Sequence, residues 1–245
     1  MVDIIRSNML SSTLRSLLAK EIFHRTALRC VHVTSKHASE DEPKKKFDTF
    51  PISRYPLPKI ETLPQSIQDR ISEADEKTGF VPNVMTSYAH RPKEFEAFFN
   101  YYDVLMQKEI GNLSKADREM IVVATSSYNS CLYCVVSHSA LYRIFSKNPI
   151  VADQVATCWE AAAITDRERA ILELAMAVCK SEEISQHYFD NLAKHGLDAE
   201  DAWDIAAISA FFSMSNRMAH FMNMRPNEEF HLMGRVPKTK SKPAK

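Results

Sequence analysis

Along the chain, apolar positions recur three and four residues apart in one segment after another, which is the period of a helix with one buried face. Ile67, Ile71 and Ala74 set this spacing over Leu63 to Lys77, and Gly79 follows as a stop. Pro82-Asn83 opens a short helical or turn segment. Pro92 suits the first turn of a helix running to about Glu109, whose apolar side carries Phe95, Phe98, Phe99, Tyr102, Leu105 and Met106. Ser114 and Asp117 make a Ser-x-x-Asp helix start, and the run from Met120 to Ala124 is apolar on every side, as in a central, buried helix. Asn129 or Ser130 can cap the next helix, which ends near Ser146. Further helices are expected over Val151 to Ala163, after the Thr165-x-x-Glu168 capping box, over Ser185 to His195, and from about Ala199 to Met224. No alternating strand pattern interrupts the series, so the expected fold class is all-α, a helical bundle.

Composition sharpens this picture. The chain has 245 residues but only four Gly, and Pro149 is the sole Pro between Lys93 and Arg225. Long stretches without either residue favour helices joined by short turns. Asp117-Arg118-Glu119 and Asp166-Arg167-Glu168 each begin an apolar helix, a faint echo that fits either a duplication or a repeated way of starting a helix.

The ends differ from the middle. Residues 1–37 carry Arg6, Arg15, Lys20, Arg25, Arg29 and Lys36 against Asp3 and Glu21, with a stripe of Leu10, Leu14, Leu17, Leu18 and Phe23. A basic, acid-poor, amphipathic start has the character of a mitochondrial transit peptide, and otherwise of a disordered basic arm. Residues 38–64 are charged and then Pro-rich, the expected linker and wrapping segment. Residues 65–235 form the expected helical domain, and 236–245 a disordered basic tail. Formal net charge is zero, which implies no nucleic-acid partner, and no apolar run approaches the roughly 18–20 residues of a membrane span.

The chemistry concentrates in Cys131-Leu132-Tyr133-Cys134 with His138. On a helix these three side chains share a face, and two Cys at this spacing reach disulfide distance with little backbone movement. Cys131 is expected in the first helical turn, where free N–H groups favour an exposed thiolate. Cys134 has an imidazole one turn on to assist its ionisation. Glu119 lies on the preceding helix. If the two helices form a hairpin, its carboxylate can orient His138 or relay its proton; alone, it reads as a solvated first-turn acid. The same Cys and His also supply three workable zinc ligands, although no further Cys/His pair lies nearby to close the site. The remaining alternative is two inert core thiols. Haem attachment is excluded by Val135, which stands where His is required. Cys158 and Cys179 read as small buried hydrophobes, and Cys30 makes an odd total of five, unlike a secreted disulfide framework.

The spacing Glu119, Cys131-x-x-Cys134, His138 resembles the active-site motif of the alkylhydroperoxidase D/carboxymuconolactone decarboxylase-like superfamily. Gly79-Phe80-Val81-Pro82-Asn83, Leu113-Ser114, Arg118-Glu119, Asn129-Ser130, Asn216-Arg217 and Arg225-Pro226-Asn227 narrow the resemblance to its peroxidase-related branch. The resemblance covers about residues 56–235. It implies an all-α fold assembled as a homo-oligomer of three or six chains, and thiol-dependent reduction of a hydroperoxide without a cofactor or metal. It makes Cys134 the attacking thiol, Cys131 the resolving one, and His138 and Glu119 the proton relay. An external dithiol resets the pair: a lipoyl protein, thioredoxin or glutathione. Tyr133 departs from the best-known members, which carry a second relay His there. The decarboxylases lack the Cys pair, so lactone chemistry is not implied. Two other readings keep the same fold: a redox-sensing or scaffold protein, and a protein disulfide oxidoreductase inactive on peroxide.

Overall fold

A computed structural model describes residues 51–235. The expectations placed on residues 1–37, on the first part of the 38–64 segment, on Cys30 and on the 236–245 tail lie outside the described residues. Within them all regular structure is helical: α1 Gln65–Thr78, α2 Asn83–Tyr88, α3 Pro92–Met106, α4 Lys115–Tyr128, α5 Leu132–Ser146, α6 Pro149–Cys158, α7 Asp166–Lys180, α8 Gln186–Ala193, α9 Ala199–Met222 and α10 Glu229–Leu232, with single 3-10 turns at Ile60–Thr62 and Trp159–Ala161. No described helix is long and apolar enough to cross a membrane.

α4 is the centre. Every residue from Asp117 to Ser126 is buried, as its unbroken apolar run requires. It packs against α5, α6, α7 and α9. Both expected capping boxes form: Ser114 with Asp117 at the start of α4, and Thr165 with Glu168 at the start of α7. The echo between these helices does not survive in register. Asp117 is the third residue after its cap, whereas Asp166 is the first after its own. Matched by caps, Ala170 stands where Glu119 does, so α7 has no counterpart of that carboxylate.

α3 stops at Met106, short of the expected Glu109, because tertiary contacts claim the chain beyond it. Arg118 Nη1 donates to the Leu105 carbonyl (2.9 Å), Lys108 pairs with Asp204 (2.8 Å), and the Asn112 N–H donates to Asp201 (2.9 Å). Two apolar clusters result. One joins α4, α7 and α9 through Ile121, Leu172, Ile205 and Phe212. The other joins α1, α2, α3, the start of α5 and the end of α9, and holds both Cys131 and Cys134.

Two of the quoted motifs clasp each other beside this second cluster. The Asn83 N–H donates to Asn227 Oδ1 (2.8 Å), Asn83 Nδ2 to the Arg225 carbonyl (2.9 Å), and Asn227 Nδ2 to the Val81 carbonyl (2.9 Å). These bonds tie the start of α2 to the segment that follows α9. Arg143 of α5 then holds α10 through the Phe230 and Met233 carbonyls. Ahead of α1, the Arg54 N–H donates to the Met222 carbonyl and Ile52 accepts from the Arg225 N–H, which lays the chain against the end of α9.

Candidate active site

The α4–α5 hairpin builds the site. Asn129 closes α4, Ser130 takes a left-handed conformation (φ 55°), and Cys131 is extended (φ −81°, ψ 97°) with its N–H on the Ser126 carbonyl (2.9 Å). Cys131 is therefore the cap of α5, one position outside the first turn expected for it. Its Sγ takes the capping role and accepts from the Cys134 N–H (3.4 Å). Neither Asn129 nor Ser130 caps α5, since both are spent on the turn. The expectation of an exposed Cys131 is also corrected: it is 1% exposed and Cys134 2%. The turn presses both sulfurs into the second apolar cluster.

The two thiols are electrostatically unequal. The Cys131 thiol is drawn down to about 6, first by a hydrogen bond from the Cys134 thiol, and further by the Cys134 N–H, the neighbouring His220 and the Asn216 amide, with burial opposing them. Cys134 is pushed well above the usual thiol range because Cys131 holds its proton, burial disfavours its anion, and the Cys131 charge repels a second one; Asn216 and Ser215 pull weakly the other way. The pair thus carries one proton and one negative charge near neutral pH.

Glu119 is no solvated helix-start acid. It is 3% exposed and accepts a 2.7 Å hydrogen bond from His138 Nδ1. Packing of α4 on α5 brings the two together across nineteen residues of sequence. The bond fixes the ring and leaves Nε2 as the atom that exchanges a proton. Phe212 packs edge-on against the imidazole, with ring centres 4.8 Å apart.

A cavity of about 530 Å³ opens onto this group. Cys134 and His138 line it, and Cys131 does not. Phe98, Phe99, Tyr102, Phe212, Met224 and Phe230 make its walls largely apolar. Charges gather around Arg70 and Lys77, each already paired, with Asp103 (2.7 Å) and Glu73 (2.6 Å). Tyr133 also faces the cavity, where the family's best-known members have their second His. Its hydroxyl accepts from the Val84 N–H (3.2 Å), and burial raises its pKa, so it stays a neutral phenol.

The structure thus pairs Cys131 with Cys134 and His138 with Glu119, and places Cys134 and His138 on one cavity. Cys158, expected to be buried, is exposed at the end of α6, while Cys179 is buried. Among the described residues no group of three His, Cys, Asp or Glu side chains is placed to hold a metal ion. Sequence reasoning left Asn216 and His220 without a role. Both lie on α9, one turn apart, on the side that meets the Cys pair. The Asn216-Arg217 motif marked the place, but spacing along one helix does not reveal which other helix it meets.

Fold and site together define an all-helical Cys-x-x-Cys protein of the alkylhydroperoxidase D-like type. The signature of the carboxymuconolactone decarboxylase family matches residues 92–176. A solved structure of an uncharacterized peroxidase-related protein from Ralstonia eutropha JMP134, an alkylhydroperoxidase AhpD core, is 58% identical over 77% of this chain and all of that one, with a TM-score of 0.75. An uncharacterized peroxidase-related protein from Silicibacter sp. TM1040 is 35% identical over 80% of this chain and all of its own, with a TM-score of 0.70. The debrominase Bmp8 shares the fold at 20% identity, over 75% of this chain and 96% of that one (TM-score 0.60). A search among curated proteins finds no match. The chain belongs to the peroxidase-related, alkylhydroperoxidase D-like family.

Proposed function

We propose that this chain is a thiol-dependent hydroperoxide reductase, an antioxidant oxidoreductase that cycles Cys131 and Cys134 between dithiol and disulfide. The observation that carries the reading is the floor of the cavity. There Cys134, one thiol of a charge-sharing pair, lines the same cavity as His138, whose imidazole is held by a buried carboxylate. A hydroperoxide in the cavity places its O–O bond before Cys134. The Cys134 proton passes to the Cys131 thiolate, and the Cys134 thiolate so formed attacks the terminal oxygen; the S–O bond forms and the O–O bond breaks. The leaving alkoxide takes a proton from His138, with Glu119 stabilising the imidazolium before that transfer. Cys131 then displaces hydroxide from the Cys134 sulfenic acid, which gives the disulfide and water. Two thiols and one hydroperoxide become a disulfide, an alcohol and water.

An external dithiol closes the cycle; a lipoyl protein, thioredoxin and glutathione are the reductants to compare. The resemblance also carries assembly into a homo-oligomer of three or six chains. The exposure of Val104, Ile110 and Trp203, 66–73% each, supports it. Light scattering that shows a monomer at micromolar concentration contradicts assembly. Import into the mitochondrial matrix, carried by the basic amphipathic start, is tested by N-terminal sequencing of the protein from its native cells.

The activity is tested by following consumption of an alkyl hydroperoxide with each reductant in excess. Turnover that disappears with Cys134→Ser supports the reading. Exchange with disulfide substrates while hydroperoxide stays untouched makes the chain a disulfide oxidoreductase instead. Absence of both activities leaves a redox sensor.

A further inference from the structure

The catalytic cycle opens and closes on the same two sulfurs, yet they are not equally reachable. Cys131 is 1% exposed and Cys134 2%, so no reagent meets either sulfur on the open surface. Cys134 lines the cavity and Cys131 does not. The turn holds Cys131 off the cavity. Its N–H is bound to the Ser126 carbonyl (2.9 Å), and its Sγ accepts from the Cys134 N–H (3.4 Å). Asn216 of α9 fixes that turn, accepting from Asn129 Nδ2 (2.9 Å) and donating to Ser126 Oγ (2.9 Å). An external thiol that enters the cavity to reach the disulfide therefore finds Cys134.

The protons point the same way. When hydroperoxide is reduced, the site loses one proton from its thiols and one from His138. A dithiol that reduces the disulfide releases two protons. One belongs on the thiol pair. The other belongs on His138, which lines the same cavity as Cys134 and is anchored through Nδ1 by Glu119 (2.7 Å). We propose that the external dithiol enters the cavity the hydroperoxide has left, attacks Cys134 and not Cys131, and returns a proton to His138, so that one opening serves both half-reactions in turn. The shared opening rests on the hydroperoxide-reductase reading; the attack on Cys134 does not.

The step runs as follows. One thiol of the reductant gives its proton to His138 Nε2, and its thiolate attacks the Cys134 sulfur. A mixed disulfide forms at Cys134, the Cys131–Cys134 bond breaks, and Cys131 leaves as a thiolate that accepts the Cys134 N–H. The second thiol of the reductant then attacks its own bound sulfur, and Cys134 departs with that thiol's proton. Cys131 suits the leaving role. In the reduced protein its thiol is drawn down to about 6, first by the hydrogen bond from the Cys134 thiol, and a thiol of lower pKa leaves faster. Attack at Cys131 would instead expel Cys134, the thiol pushed well above the usual range. Other groups on the cavity are unsuited to take the proton. Asp103 and Glu73 are paired with Arg70 and Lys77, Ser137 Oγ donates to the Tyr133 carbonyl (2.9 Å), and Tyr133 is a phenol raised by burial.

The test starts from the full-length chain oxidised to its disulfide with diamide. Mercaptoethanol, which has no second sulfur to resolve the adduct, is added and the reaction is stopped early with excess N-ethylmaleimide. Peptide mass spectrometry then locates the mixed disulfide. Mercaptoethanol on Cys134 with maleimide on Cys131 is the expected result. Mercaptoethanol on Cys131, alone or in equal amount, overturns the proposal. The proton transfer is read from the rate at which dithiothreitol reduces the disulfide. His138→Gln should slow it at least about tenfold, below the ~10²–10⁴-fold range of general-base contributions because some dithiothreitol is already ionised. An unchanged rate in a His138→Gln protein that is folded by circular dichroism also overturns the proposal. Should that variant fail to fold, the adduct on the unaltered chain still decides. Neither measurement contains peroxide, so a chain inactive on hydroperoxide defeats the functional reading alone. An active chain with the adduct on Cys131 defeats this proposal alone.

Discussion

Replacing Cys131 with Ser removes a group that couples folding to pH between about 6 and 9. A thiol near 9 when unfolded and about 6 when folded binds one more proton in the unfolded chain throughout that interval. Stability therefore rises with pH between those values, with a slope approaching about 1.4 kcal/mol per pH unit. The full contribution is up to roughly 4 kcal/mol, a sizeable share of the ~5–15 kcal/mol typical of a domain. It is present above the unfolded value and is lost as pH falls through about 6. Cys134 acts in the opposite sense. Its folded value is raised, so above about pH 9 the unfolded thiol ionises while the folded one does not, and the gain turns over. Asp153, lowered by Arg235, titrates at more acid pH and leaves the interval undisturbed. Urea unfolding in the presence of a phosphine reductant, at half-unit steps from pH 5.5 to 9, measures the difference between the unaltered chain and Cys131→Ser. The two stability curves should converge near pH 5.5 and separate by about 2–4 kcal/mol by pH 8.5. Parallel curves across the range refute the assignment of the thiolate to Cys131.

Two further outcomes follow from the site. Glu119→Gln keeps the shape but not the charge beside His138, and should lower kcat/KM for hydroperoxide towards the lower end of the ~10²–10⁴-fold range of general acid–base catalysis; an unchanged kcat/KM removes Glu119 from the relay. Asn83→Ala frees the Arg225 carbonyl and loosens the clasp beside Met224 and Phe230, so KM should rise several-fold with little change in kcat, and urea unfolding should show a loss of about 1–2 kcal/mol.

Local rules made much of the fold readable. Ser114 with Asp117, and Thr165 with Glu168, started helices where they should, and the run Met120 to Ala124 announced the central helix. The hairpin expectation placed Glu119 beside His138 because a short turn between two apolar helices leaves little choice of partner. What failed depended on contacts distant in sequence. α3 ended early because Arg118, Asp201 and Asp204 bind the chain after it, and no spacing within α3 signals that. Cys131 became a cap rather than a first-turn residue because Ser130 took the left-handed position, a role normally left to Gly. Asn83 and Asn227 were visible as motif residues, but the bond between them spans 144 residues. Asn216 meets Asn129 and Ser126 only because α9 crosses the hairpin, and Cys158 is exposed because α6 ends at it.

The central claim is that Cys134 attacks the peroxide while Cys131 resolves it. One measurement reaches it directly: a single turnover of each reduced Cys→Ser variant with one equivalent of alkyl hydroperoxide and a dimedone-type trap, read by peptide mass spectrometry. Cys131→Ser should carry the label on Cys134, because the sulfenic acid formed there finds no resolving thiol. Cys134→Ser should remain unlabelled, since Cys131 does not line the cavity. Label on Cys131 in Cys134→Ser, formed as fast as that on Cys134 in Cys131→Ser, contradicts the account and gives the attack to the capping thiolate.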